Sequence, residues 1–146
     1  MENRFVPMEG AAGFQQSNPC VLATVALLGS LNVFAKTSMT DLRAKSLLLT
    51  AYLEHLLQSE ITARHPDTLR VITPSQVQDR GCQLSLLFGI NVKEVHDQLE
   101  QLGIIVDKRE PNVLRISPVP LYNTFTDVHR FVFALQKILA TPAASS

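Results

Sequence analysis

Arg115 is the residue of this chain best placed by its neighbours to do chemistry. It stands in the alternating run Val113-Leu114-Arg115-Ile116. That run leads into a loop stiffened by Pro118 and Pro120 and then into Leu121-Tyr122-Asn123. Successive side chains of a strand point to opposite faces, so the guanidinium must leave on the face opposite Leu114 and Ile116. A planar guanidinium fixed at the end of a strand can grip a carboxylate through two parallel hydrogen bonds. Taken alone, such an arginine is more often a surface strand residue in an ion pair than a ligand clamp.

A second candidate is Ser17-Asn18-Pro19, which has the residue types of a helix start. Ser17 or Asn18 can cap, and Pro19 suits the first turn because its missing N–H would be unpaired there anyway. Such a terminus also suits an anion. Other reactive side chains carry less. His55, His65, His96 and His129 are scattered, with no partner at metal or triad spacing. Tyr122 is best read as a packed loop residue. Cys20 and Cys82 fit no metal spacing and read as two buried thiols of a reducing compartment rather than a disulfide. Lys36, Lys45, Lys93, Lys108 and Lys137 all fall in helical or turn positions that read as solvated, unlike the desolvated setting a nucleophilic amine needs.

The elements that must carry these residues can be read from period and punctuation. Residues 1–16 are irregular and resemble a connector. A helix is expected from Ser17-Asn18-Pro19 to about Ala35, apolar nearly all round and so buried on more than one face. Ser38 with Asp41 opens a second helix, whose stripe is Leu42, Leu49, Leu53 and Leu56 and whose end lies near Ser59. Strands are expected at Leu69–Thr73 and Cys82–Leu86. Asn91 caps a third helix, with Val92, Val95, Leu99 and Leu102 on one face and Gly103 as its stop. Ile104–Val106 reads as a strand, Asp107–Pro111 as a turn and Val113–Ser117 as a strand. Thr124 with Asp127 caps the last helix, whose stripe is Val128, Phe131, Val132, Leu135, Ile138 and Leu139. The tail, residues 141–146, reads as frayed. The order ααβ–βαββα implies an α+β layer: a small antiparallel or mixed sheet with helices packed on one face.

Composition narrows the function classes. The chain has 146 residues, 13 basic and 13 acidic, with no net charge. Bulk electrostatics therefore draws it to neither nucleic acid nor an anionic membrane. The opening residues lack a signal-peptide pattern, and the apolar run 20–35 is short for a span, so a cytoplasmic protein is expected.

At Ser17-Asn18-Pro19, Arg80-Gly81-Cys82-Gln83-Leu84, the Asp107-Lys108-Arg109 turn and Arg115 to Asn123, the chain resembles the C-terminal part of kynureninase. That is a pyridoxal-phosphate enzyme of the aspartate-aminotransferase superfamily, fold type I, and the resemblance covers almost the whole sequence. It implies hydrolysis of kynurenine or 3-hydroxykynurenine to alanine and an anthranilate, on the route from tryptophan toward nicotinamide nucleotides. It implies that Arg115 holds the substrate's α-carboxylate, that Ser17 lies at the substrate, and that Asn18 lies at the cofactor, pyridoxal 5′-phosphate. A homodimer is implied too. Residues 17–140 would then form the small domain. No residue of this chain is assigned a catalytic role by the resemblance, because the Schiff-base lysine belongs to a large domain preceding these residues. The chain by itself is accordingly expected to be inactive. Gln15 departs from the family, which usually has an arginine there. The alternative is a stand-alone interaction domain that kept the fold without the chemistry.

Overall fold

The computed structural model describes residues 3–4, 6–64 and 66–140. The expected frayed tail, 141–146, and His65 lie outside them. The chain divides into two compact units, Met1–Ser38 and Met39–Ser146.

The N-terminal unit holds a 3-10 turn at Gly10–Phe14 and helix α1, Val21–Phe34. Neither Ser17 nor Asn18 caps α1. Its N-cap is Cys20, extended at φ −66° and ψ 115°, with no side-chain hydrogen bond. The helix therefore opens two residues after the expected cap, with Pro19 outside it rather than in its first turn. The expected burial is not found either: α1 has no buried residue, and Leu22 is 82% exposed. Cys20 is also exposed and Cys82 only half-buried, so the chain has free thiols but no buried pair.

The C-terminal unit is the expected α+β layer. Helix α2, Met39–Leu56, continues into a wider π-helical turn at Leu57–Thr62, past the expected end at Ser59. The stripe itself explains the extension. Leu49, Leu53, Leu57 and Ile61 are all fully buried and recur every fourth residue. In a regular α-helix that spacing drifts about 40° per step, and a looser turn brings Ile61 back to the core. Leu42 and Leu56, expected on the stripe, are only half-buried.

Strands β1, Leu69–Val71, β2, Leu84–Phe88, β3, Asp107–Arg109, and β4, Val113–Ile116, form a four-stranded sheet in the order β1-β2-β4-β3. Every pairing is antiparallel. Helices α3, Val92–Gln101, and α4, Phe125–Ala140, complete the unit. Leu69, Leu84, Leu86, Phe88, Leu114 and Ile116 point inward to one core shared with α2, α3 and α4, so the helices cover one face of the sheet. Asn91 caps α3 as expected, its side chain accepting from Lys93 N at 2.9 Å. Gly103 ends α3 in the left-handed region, φ 71°, where glycine carries no Cβ penalty.

Three strands depart from their expected bounds. β2 begins at Leu84 rather than Cys82, in the same alternation. β1 stops at Val71, and the Thr73 hydroxyl takes the Ser85 N–H at 2.8 Å in place of a ladder bond. Ile104–Val106 is not a strand; the strand is Asp107–Arg109, within the expected turn. Asp107 pairs with Arg115, so residues 104–106 would face the chain from Ile116 to Pro118. Pro118 has no N–H to continue the ladder.

Candidate functional site

The face of the sheet away from the helices is built by alternation. Across it, Ser85, Arg115 and Asp107 stand in one row, directly opposed in the register, and Arg70, Leu87, Val113 and Arg109 in the next. Arg115 therefore leaves on the open face, while its neighbours Leu114 and Ile116 are buried. The placement read from the alternation holds.

Its partner is Asp107. Arg115 Nε donates to Asp107 Oδ2 at 2.6 Å, and Arg115 Nη2 donates to the same oxygen. Arg109 approaches that oxygen too, with Nε at 3.2 Å and Nη2 at 3.1 Å. The Arg115 guanidinium holds the Asp107 carboxyl below the usual carboxylate range, partial desolvation opposes this, and Arg109 adds to the lowering. The Arg115 side chain remains 34% exposed and that of Asp107 45%.

The loop after β4 is tied at its base. Val119 N donates to Asn123 Oδ1 at 2.8 Å, and Asn123 N donates to Val119 O at 2.9 Å. Asn123 thus closes the proline loop on itself before Thr124 and Asp127 cap α4 through reciprocal bonds of 2.8–3.3 Å. Tyr122 is 69% exposed, against the expected packing, and presents its ring to solvent. A cavity of about 210 Å³ opens beside this loop, floored by Leu53, Ile116 and Phe131. Ile116 belongs to the core face, so the cavity lies across the strand from the guanidinium.

The loop between β1 and β2 is pinned to α2 by Arg80. Its guanidinium meets Glu54 in a fork, Nη1 to Oε1 at 3.0 Å and Nη2 to Oε2 at 2.6 Å, and is only 5% exposed. Glu54 is held below its usual range by that hydrogen bond, against the opposing effect of burial.

Ser17 and Asn18 lie in the N-terminal unit, in the exposed segment before α1. Gln15 Nε2 donates to the Ser17 carbonyl at 2.9 Å, so a neutral side chain orders part of that approach. Of the residues singled out from sequence, Arg115 is thus joined by Asp107, which the reading of 107–111 as a turn had hidden. His96, Asp97 and Glu100 were also missed as a group; their ligand atoms lie within 4.8 Å of one another on α3, where Asp97 already pairs with Lys93. Among the described residues no single helix is long and apolar enough to cross a membrane.

Comparison with known proteins gives this geometry a family. Residues 42–135 match the kynureninase C-terminal domain. The chain is similar to the kynureninase of Monosiga brevicollis, 52% identical over 139 residues, covering 94% of this chain and 30% of that protein. It is similar to kynureninase 2 of Phaeosphaeria nodorum, 48% identical over 98% of this chain and 30% of the relative. The kynureninase of Mus musculus is 46% identical over 95% of this chain and 31% of the relative. The chain thus spans about 30% of the length of the curated relatives it matches. With a family match running from α2 into α4 and through the strand that carries Arg115, the chain belongs to the kynureninase C-terminal domain family.

Proposed function

We propose that this chain is the C-terminal part of a kynureninase, a pyridoxal-phosphate-dependent hydrolase of fold type I. It would cleave kynurenine or 3-hydroxykynurenine to alanine and an anthranilate, in the cytoplasm and as a homodimer. The observation that carries this reading is the Arg115 guanidinium on the open face of β4, just before the Asn123-closed loop, in a chain of this family. In this role Arg115 grips the substrate's α-carboxylate and fixes the orientation of the amino-acid end. Residues 1–16 read as a connector to the large domain, and residues 17–140 as the small domain.

The N-terminal unit fits one end of the cofactor. The first turn of α1 has neither a side-chain cap nor an acidic residue, and Ser17 and Asn18 just before it offer a hydroxyl and an amide. Such neutral donors suit a phosphate or a substrate ring substituent. The covalent end does not fit this chain. None of its lysines is buried, and Asp97 raises the pKa of Lys93, opposite to what a nucleophilic amine needs. When bound, pyridoxal phosphate supplies the electron sink for the bond cleavage, while the residues here bind and orient. The exposed apolar α1 supports a part of a larger enzyme over a stand-alone domain.

Purified chain mixed with one equivalent of pyridoxal phosphate and treated with borohydride should show no single lysine labelled stoichiometrically, only slow scattered modification of its accessible lysines; one lysine labelled to one equivalent overturns this assignment. In an active enzyme carrying this chain as its C-terminal part, Arg115→Ala should lower kcat/KM about a hundredfold or more, because a charged fork is lost. Unchanged kinetics would remove Arg115 from the site.

A further inference from the structure

A guanidinium offers two edges to a carboxylate, the side edge of Nε and Nη2 and the end edge of Nη1 and Nη2. In this chain the side edge is taken, since Arg115 Nε and Nη2 both donate to Asp107 Oδ2. Among the described residues Arg115 Nη1 has no hydrogen-bond partner. We propose that Asp107 is a positioning residue for the clamp: by holding the side edge it fixes the guanidinium plane and aims the end edge at the ligand carboxylate. This rests on the reading of Arg115 as the carboxylate clamp and adds to it the residue that sets the clamp's direction.

Three features of the open face support the assignment. The bond is made between directly opposed residues of β3 and β4, so the backbone register delivers the two side chains to each other. The carboxylate is braced from behind by Arg109, two residues along the same strand and on the same face. A three-member network of this kind resists the fraying that makes isolated surface pairs weak. Ser85, on the other flank of Arg115, is neutral, and it too is directly opposed in the register. The face keeps Arg70, Arg109 and Arg115 against Asp107, so a ligand anion is still drawn in while Asp107 stays bound.

The sign of the effect separates positioning from mere charge. Removing a negative charge beside the clamp would, through space alone, tighten a ligand carboxylate. Losing the alignment weakens it. The first test uses the whole chain, labelled with nitrogen-15, and follows the Arg115 Nε–H signal, assigned by its loss in Arg115→Lys. At neutral pH that proton should exchange with water about tenfold faster in Asp107→Asn and Asp107→Ala than in the parent. The parent signal should persist when acetate is added. Equal exchange in parent and variants, or acetate stripping the parent signal, overturns the proposal. The second test uses an active enzyme carrying this chain. Asp107→Asn should raise KM about tenfold with kcat changed less than about twofold, and should add little once Arg115 is alanine. A lowered or unchanged KM in Asp107→Asn, with Arg115→Ala still crippled, overturns the positioning role and leaves the clamp standing. Unaltered kinetics in Arg115→Ala instead removes the clamp itself.

Discussion

Helices α1 and α4 are of similar length, 14 and 16 residues, and both are rich in apolar side chains, yet they meet opposite fates. α4 buries Val128, Phe131, Val132, Leu135 and Ile138 and shows His129, Arg130 and Lys137 to solvent. α1 spreads Val21, Leu22, Val25, Leu27, Leu28, Leu31 and Val33 around its whole circumference, and every one is exposed. The termini differ as well, since α4 has the Thr124–Asp127 capping box and α1 has no side-chain cap. Apolar content is therefore a poor guide to burial. A one-sided stripe lets a single neighbouring sheet satisfy α4, whereas an all-round apolar surface leaves the partner of α1 unspecified by its own residues.

That contrast can be tested by substitution, monitored by thermal and denaturant unfolding of the chain. Leu135→Ala in α4 should destabilise the C-terminal unit most, by about 3 kcal/mol, since it empties a fully buried site. Glu54→Ala should cost about 2 kcal/mol, since it takes the charged partner from the Arg80 guanidinium, which is 5% exposed and keeps the Pro74 carbonyl at 3.3 Å as an acceptor. Glu54 also gives the contrast a pH dependence. Its folded pKa lies below the ordinary 4.5, so its contribution is complete above that value and is lost as pH falls through the folded pKa. The melting temperature should hold from neutrality to mild acid and then drop, less steeply in Glu54→Ala, while the helical signal of α1, which has no titratable side chain, stays level. Thr124→Ala should remove about 1 kcal/mol through the lost cap of α4. Leu28→Ala in α1 should change the unfolding of the C-terminal unit by less than about 0.5 kcal/mol. A loss comparable to Leu135→Ala would break the comparison, by showing that α1 is needed for that unit's stability.

The same contrast explains what the sequence could disclose. The stripe of α4, the caps at Asn91 and Thr124 and the stop at Gly103 were legible because each is a local rule with one dominant outcome. The open-face position of Arg115 was legible for the same reason: alternation is local. What α1 packs against is not a local matter, so its burial could not be read from its own residues. Its late start was not legible either, because Asn18-Pro19 is as good a helix opening as the one at Cys20. Asp107 was the costly omission. Its signal was present as opposite charges at positions 107 and 115, equidistant from Pro111, but the ladder that joins them exists only once the turn is confined to Glu110–Asn112.

That symmetry about Pro111 makes the hairpin a counting device. One residue inserted or deleted between Arg109 and Val113 slips one strand against the other by a single step, and with a two-residue period every side chain beyond the slip exchanges faces or partners. Arg115 would then lose Asp107 or be driven toward the apolar core, with Leu114 turned out in its stead. The grip on a carboxylate is thus written into this chain as a length as much as an arginine, and a change that preserves every charged residue could still erase it.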